Sequence, residues 1–551
     1  MERVMFKLNG AEASCEAGES LVSLIGERGP GSPVPVVAAL VNNAVKELSY
    51  KPAGGENITL LTPRDKTGND VYLRGLLHVL VQAVKKTMPD RKLSIQHAMN
   101  EGIYCEIKGE EEFSPFELER IEREMRKIVE KNEPFIRRLI SREEAIAFYR
   151  AEGNIDKARL LRHREDAVFK VYSCGGVSEY FFGHMPPSTG YVTRFKLVMS
   201  PPGFVLLYPR QKDPEGELRF TPSPKLAHVF RQSERWADIL GVGTVPDLND
   251  LVENGQLRDF IRVNEALHER TISEIASQIV REKKRIVLVA GPSSSGKTTF
   301  TQRLSVQLRA AERKTAVISL DNYYRDRSTL KPRPDGTYDL EDINALDVPL
   351  FNEHMCELLA GREVQIPRFD FKQKKRVPGK VLKLQPGQIL LIEGIHGLNE
   401  AMSHMVDRDE KFKIYISALT QLNLDSHDRI STSSVRLIRR LVRDHLHRGM
   451  TAERTLDMWN SVREGEERWI FPYQEQCDVM FNSTLVYELL FLKKYAIPLL
   501  KQIPQDNPNF IEANYLAKML KYFVDPDPED ELEIPRTSIL REFIGGSSFE
   551  Q

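Results

Sequence analysis

Arg285-Ile286-Val287-Leu288-Val289-Ala290 runs directly into Gly291-Pro292-Ser293-Ser294-Ser295-Gly296-Lys297-Thr298. The apolar run is strand-sized and reads as a strand buried on both faces. A helical pattern follows the loop. G-x-x-x-x-G-K-T between a strand and a helix is a phosphate-binding arrangement. Its glycines let the backbone wrap an anion, so that the N–H groups from Gly291 to Thr299 point inward at the positive end of the helix. Lys297 is expected to neutralise β/γ-phosphate charge, and the Thr298 hydroxyl to hold Mg²⁺. A nucleoside triphosphate is therefore the expected ligand, with ATP and Mg²⁺ as the cofactors. No N-K-x-D or T-K-x-D guanine motif follows the loop.

Two acids are placed to join this loop. A second apolar stretch, 315–320, ends in Asp321-Asn322-Tyr323-Tyr324, and a third, 388–392, ends in Glu393. In an open parallel sheet, ligands gather outside the carboxyl ends of the strands. Asp321 can there take the proton of an attacking hydroxyl or join the metal, and Glu393 has the placing of a Mg²⁺ contact. The alternatives are a turn cap for Asp321 and a structural role for Glu393.

Residues 434–446 carry a helical period with Arg436, Arg439, Arg440 and Arg443 within an arc of roughly 100°. Nearby carboxylates are few, with Asp428 and Asp444 the neighbours in sequence. Four guanidinium groups without local partners point to an anion, and a phosphate-closing lid is the expected role. The alternative is a solvated face or a protein contact.

At 551 residues the chain needs several cores. Apolar content of 41% and charged content of 28% indicate a globular protein, not a disordered one. A net charge of −1 gives no global field to recruit nucleic acid or an anionic membrane, so anion binding must be local. Five scattered cysteines without a C-x-x-C pair fit a reducing compartment. Met1-Glu2-Arg3-Val4 opens no apolar h-region, and the apolar runs are strand-sized or broken by charge and proline. A cytoplasmic location without membrane contact is expected.

The expected architecture is multidomain α/β and α+β. Residues 1–62 alternate short β-like runs with Gly and Pro turns. Residues 63–210 begin helically from about Tyr72 and continue as mixed α/β, with a helix over 115–131 capped by Ser114 and Glu117. Residues 211–284 are read as a proline-rich joint followed by connecting helices. Strand–helix alternation over 285–505 predicts a doubly wound parallel sheet. Residues 506–551 are read as a C-terminal tail. Its apolar end, Ile539-Leu540-Arg541-Glu542-Phe543-Ile544-Gly545-Gly546, is expected to dock on the preceding domain as a regulatory element.

With these residues in view, the stretch from about 285 to 500 resembles the uridine kinase branch of the uridine kinase/phosphoribulokinase family. Asp321-Asn322-Tyr323-Tyr324 is similar to the family's aspartate–aromatic motif, Tyr338-Asp339 to its aromatic–Asp pair, and Ile366-Pro367-Arg368-Phe369-Asp370-Phe371 to its I-P-x-Y-D-F segment. The arginine run resembles its lid. The resemblance implies that Asp321 is the general base and that Asp339 grips ribose hydroxyls. It further implies that Tyr324, Tyr338, Phe369 and Phe371 line the acceptor pocket. Where the family has a base-reading His, this chain has Lys374, which puts base specificity in doubt.

The first 210 or so residues resemble the N-terminal half of threonyl-tRNA synthetase, a ubiquitin-like TGS module followed by its editing-type second additional domain. Val84-Lys85-Lys86-Thr87-Met88-Pro89-Asp90, Asn100-Glu101-Gly102-Ile103-Tyr104 and Pro187-Ser188-Thr189-Gly190 carry that resemblance. The editing motif departs from the family pattern. H-x-x-x-H is replaced by Arg74-x-x-x-His78, an aromatic near Phe181 stands for the later Cys, and His184 remains. A binding fold retained without hydrolysis is implied. The whole combination is similar to a bacterial family usually called nucleoside kinases. It implies ATP-dependent phosphorylation of a nucleoside 5′-hydroxyl, uridine- or cytidine-like. A kinase of another small alcohol or sugar phosphate is the first alternative, and a nucleotide-gated RNA-binding regulator acting through the N-terminal domains is the second.

Overall fold

The computed structural model describes residues 3–164, 166–333, 338–370, 373–420 and 422–549. Residues 3–61 form a five-stranded mixed sheet. Its Arg3–Leu8 strand pairs antiparallel with Ala11–Glu16 and parallel with Asn57–Leu61. Two strands, Ala11–Glu16 and Ala44–Lys46, carry too little apolar alternation to be legible as strands.

A 22-residue helix, Lys66–Thr87, starts earlier than its apolar period suggests and is buried along most of its length. It packs on the helix Pro115–Lys131, whose capping box is as the sequence dictates. The Glu117 amide donates to Ser114 Oγ at 3.3 Å and the Ser114 amide to Glu117 Oε2 at 2.8 Å. A four-stranded antiparallel sheet (Lys196–Ser200, Gly203–Leu207, Gly102–Lys108, Lys92–Met99) completes this layer, beside a three-stranded sheet centred on Val168–Cys174. One continuous apolar core runs through both N-terminal modules.

The helices Pro224–Leu240, Val245–Glu253 and Leu257–Arg281 lead into the second half. Ile272, Ile275 and Ile279 of the longest join the core around Phe300 and Leu304, so this helix is a packed wall rather than a free linker.

The parallel sheet has the order Thr315–Ser319, Ile389–Glu393, Ile286–Ala290, Lys411–Ser417, Val479–Asn482. Every neighbouring pair is parallel. Val287 and Val289 face one core with Phe300, while Ile286 and Leu288 face another with Ile318 and Leu390. Burial on both faces is why the strand reads as an unbroken apolar run.

The two halves are tied at the segment 422–430. The Ile95 amide donates to the Ser426 carbonyl at 2.9 Å, and Asn423 Nδ2 donates back to the Ile95 carbonyl at 3.2 Å. Beneath this seam Lys157, fully buried, donates to Glu179 at 2.7 Å and lies 3.6 Å from Asp425, and His427 pairs with Glu179.

Residues 506–549 are not a loose tail. Phe510–Leu520 is a helix, and Ile539, Leu540 and Phe543 are buried in the same core as the phosphate-loop helix. Among the described residues no helix is long and apolar enough to cross a membrane.

Candidate functional site

The phosphate loop leaves strand Ile286–Ala290 at its carboxyl end and enters the helix Lys297–Ala310 through Gly296, whose φ of +85° no side chain adopts readily. Gly291 is glycine for a different reason. A Cβ there would lie 2.0 Å from the Ile416 carbonyl oxygen of the neighbouring strand.

Lys297 Nζ donates to the Gly291 and Pro292 carbonyls at 3.0 and 3.1 Å, so its ammonium is folded over the mouth of the loop. Burial pulls its pKa down, against the opposing pull of Glu393, Asp321 and Glu542. Asp321 lies in a short 3₁₀ turn, Leu320–Tyr323, just past its strand, with its amide on Ser319 Oγ at 3.3 Å. Burial raises its carboxyl pKa and the Lys297 charge lowers it. Glu393 closes the adjacent strand. Burial, then the Asp321 charge, push it up to about 7, while Lys297 and a hydrogen bond from Ser319 favour its ionised form. Sequence-predicted Lys297, Asp321 and Glu393 therefore share one electrostatic environment.

Glu341 belongs to the same group and was not legible beforehand. Burial and Glu466 raise it to about 7, with Arg440 and Lys297 opposing. Its position two residues after Asp339 was the available hint. Asp321, Glu393 and Glu341 supply carboxylate oxygens, donors of the kind Mg²⁺ takes, around the Lys297 charge. Among the described residues, though, the acid and imidazole atoms close enough to share one ion are those of His163, Asp250 and Glu253, so these three acids are not drawn together around an ion position.

The arginine helix, Thr432–Arg448, corrects the expectation of unmatched guanidinium groups. Arg436 pairs with Glu466, Arg439 with Glu488 at 2.9 Å, Arg440 with Asp444 at 3.2 Å, and Arg443 with Asp444 at 2.8 Å. Glu466 and Glu488 come from helices 30 and 49 residues further on, beyond the reach of local sequence inspection. Arg439 is fully buried and also donates to the Ser483 carbonyl at 2.8 Å, so it holds the fold rather than waiting for an anion.

The helix nevertheless lies on the phosphate loop. Arg436 Nε donates to the Ser293 carbonyl at 2.9 Å, Arg439 Nη1 to the Ser294 carbonyl at 3.4 Å, and Arg440 Nη1 to Ser293 Oγ at 2.8 Å. In this conformation it forms a wall of the loop, held by these bonds and by its carboxylate pairs.

On the expected acceptor side, Tyr324 donates its hydroxyl to the Leu340 carbonyl at 2.9 Å and its ring meets Phe369 at 5.6 Å. Asp339 accepts from Arg333 at 2.6 Å and from Arg468 at 3.3 Å. The Arg327 guanidinium lies 5.4 Å from the centre of the Tyr338 ring. Lys374 is exposed at the turn between strands Val364–Asp370 and Lys375–Leu382, with a left-handed φ of +56°. Phe371 lies outside the described residues.

In the N-terminal half His78 is wholly buried, bridged between Gln82 and the Tyr172 carbonyl, with the Phe135 and Phe181 rings against it. His184 faces Glu47 at 3.7 Å instead. The Phe135 and Phe181 rings pack on His78, and His78 and His184 are committed to separate partners.

A glycine-wrapped loop between strand and helix, with acids at two adjacent strand ends, defines a P-loop domain. Residues 286–488 match the family model described as Phosphoribulokinase / Uridine kinase family, and the C-terminal half of the chain carries a domain of that family. The N-terminal region is related to the TGS and editing domains of threonyl-tRNA synthetases. The threonine--tRNA ligase of Desulforamulus reducens is 36% identical over 225 residues, 40% of this chain and 35% of the ligase. That of Carboxydothermus hydrogenoformans is 37% identical over 163 residues, 29% of this chain and 26% of the ligase. The chain thus spans about a third or less of the length of these relatives. Among solved structures, one described as a possible uridine kinase from Bacillus stearothermophilus is similar over 38% of this chain and 97% of its own, at 18% identity and a TM-score of 0.27. A likeness that slight carries no weight here.

Proposed function

We propose that this protein is an ATP-dependent kinase of a small hydroxyl substrate, with the 5′-hydroxyl of a uridine- or cytidine-like nucleoside the leading acceptor. The observation that carries the reading is the convergence of Lys297 on the phosphate loop with Asp321 and Glu393 at the ends of the two neighbouring strands. Asp321 takes the proton of the acceptor hydroxyl as its oxygen bonds to the γ-phosphorus. The bond to the β–γ bridging oxygen breaks, and its electron pair leaves with ADP. Lys297 and the loop amides meet the charge that develops on the transferring group, with Arg436 and Arg440 behind them. Arg439 and Arg443 act as supports of that wall. Thr298, Asp321 and Glu393 would hold Mg²⁺, with Glu341 beside them. Bound there, the ion would neutralise charge on the β- and γ-phosphates.

Asp339, Tyr324, Tyr338 and Phe369 are proposed to shape the acceptor pocket. The arginine pairs on Asp339 set a condition on this, since a ribose must displace or share them. Measuring ADP release across a panel of nucleosides, sugars and sugar phosphates tests the proposal. Turnover with pyrimidine nucleosides supports it, and turnover confined to a non-nucleoside alcohol replaces the acceptor while keeping the chemistry.

A second reading, a nucleotide-gated RNA-binding regulator, draws on the relation of the N-terminal region to tRNA ligases and on its direct seam with segment 422–430, which leads into the arginine helix. Filter binding of tRNA with and without ATP separates the two.

A further inference from the structure

We propose that the C-terminal segment 538–546 is a built-in occupant of the nucleotide site, and that a nucleoside triphosphate must displace it to bind. The inference rests on the phosphate loop being the nucleotide site and assigns that site a means of regulation. Glu542 Oε2 accepts the Thr299 amide at 3.1 Å and the Thr299 hydroxyl at 2.8 Å. Thr299 lies in the first turn of a 14-residue helix, where the amides have no partner within the helix and attract an anion. A carboxylate oxygen taking both donors stands where a phosphate oxygen of the nucleotide would.

The surrounding contacts fix it there. Ile539 presses on the last glycine of the loop, its Cγ2 only 2.6 Å from where a Cβ on Gly296 would be. The Phe543 ring lies 4.9 Å from the Arg439 guanidinium, on the wall that backs the loop. Arg541 Nη2 holds the segment from behind, donating to the Glu531 and Ile534 carbonyls at 2.7 and 3.0 Å. Glu542 itself is only 8% exposed, a burial that a carboxylate tolerates only when its charge is met. Here the helix terminus and Lys297 meet it.

A second carboxylate works the same loop from the other end. Glu466 Oε1 accepts the Ser293 amide at 3.0 Å. Two amides and a hydroxyl of the phosphate cradle are thus already filled by the protein's own acids. One amide cannot serve Glu542 and a phosphate oxygen together, so tail and triphosphate exclude each other. An apparent dissociation constant is weakened by the fraction of molecules in which the site is closed.

The test uses the full chain with Glu542→Gln and Glu542→Ala. The glutamine keeps the shape and an acceptor oxygen, so a folding defect in the alanine variant does not erase the result. Mg·ATP affinity is read by calorimetry, and hydrogen exchange over 538–549 is read with and without saturating Mg·ATP. Expected are about tenfold tighter ATP binding in the variants, from loss of a charge-assisted hydrogen bond that competes with phosphate, and faster exchange of the segment in the wild type when ATP is bound. Equal affinity in wild type and variants, or segment exchange unchanged by bound ATP, overturns the proposal and leaves the segment a permanent helix cap. Weaker binding in the glutamine variant overturns it in the other direction, making the segment part of the site. Absence of ATP binding in every folded form overturns the nucleotide-site reading itself, and this inference with it.

Discussion

The Ser293 amide donates to Glu466 at 3.0 Å, so a carboxylate 173 residues away in the chain sits inside the phosphate loop. The same carboxylate pairs with Arg436 and, through its other oxygen, accepts from Arg463 at 3.0 Å. Glu466 is wholly buried, and it couples the loop to the arginine helix.

Removing Glu466 should therefore damage stability before anything else. Glu466→Ala leaves the Arg436 charge buried without its partner, a defect worth about 3–5 kcal/mol. Thermal unfolding is expected to show a drop of many degrees, and an unchanged melting temperature would contradict the pairing. Arg439→Ala should behave alike through Glu488.

Lys297→Ala should act chiefly on turnover. Its ammonium donates to the Gly291 and Pro292 carbonyls and faces the charges of Glu393, Asp321 and Glu542. Loss of a preorganised charge on the transferring phosphoryl group costs about 2.7–4 kcal/mol, or roughly 10²–10³ in kcat. Steady-state ADP release measures it.

Asp321→Asn separates base from metal contact. Retained Mg·ATP affinity with kcat reduced by about 10²-fold or more is expected for a general base. Full turnover with weaker Mg·ATP binding would instead leave Asp321 to the metal alone.

Gly291→Ala should abolish the loop geometry. The new methyl meets a backbone oxygen at 2.0 Å, which cannot swing aside as a side chain can. Loss of both ATP binding and activity, with a lowered melting temperature, is the expected outcome of such overpacking.

Acid should destabilise the N-terminal half through His78. Burial holds it neutral, with its pKa lowered from 6.5 to about 4. A lowered folded-state pKa means the unfolded chain binds the proton first. Stability is then complete above pH 6.5 and lost as pH falls toward 4, by about 2 kcal/mol between pH 6.5 and 5. Denaturant titrations at pH 7 and 5 should show a smaller difference for His78→Asn than for the wild type.

The parallel sheet, the phosphate loop and the strand-end acids were legible because each rests on local pattern. An apolar run marks a strand covered on both sides, Gly-x-x-x-x-Gly-Lys-Thr marks the turn that follows, and the next polar residue falls at the ligand edge. Ser114 and Glu117 announced their helix for the same reason. What could not be read was pairing at long range. The arginine spacing was visible, but Glu466 and Glu488 carry no sign of their destination. Nor does Glu542, which meets Thr299 across 243 residues. The apolar character of residues 539–544 marked that segment for docking, but not the surface that it would reach. The helix Phe510–Leu520 was likewise hidden inside a stretch read as tail.

Lys157 has a consequence for how the chain can be divided. Its ammonium belongs to the part related to tRNA ligases, whereas Asp425, beside it, belongs to the phosphotransferase part. A fragment starting at the P-loop strand would part Asp425 from Lys157 and His427 from Glu179, and the complementary fragment would leave Lys157 with Glu179 but without Asp425. Excising either piece breaks an ion cluster as well as a linker, so the two parts are joined by buried charge and not by a tether alone.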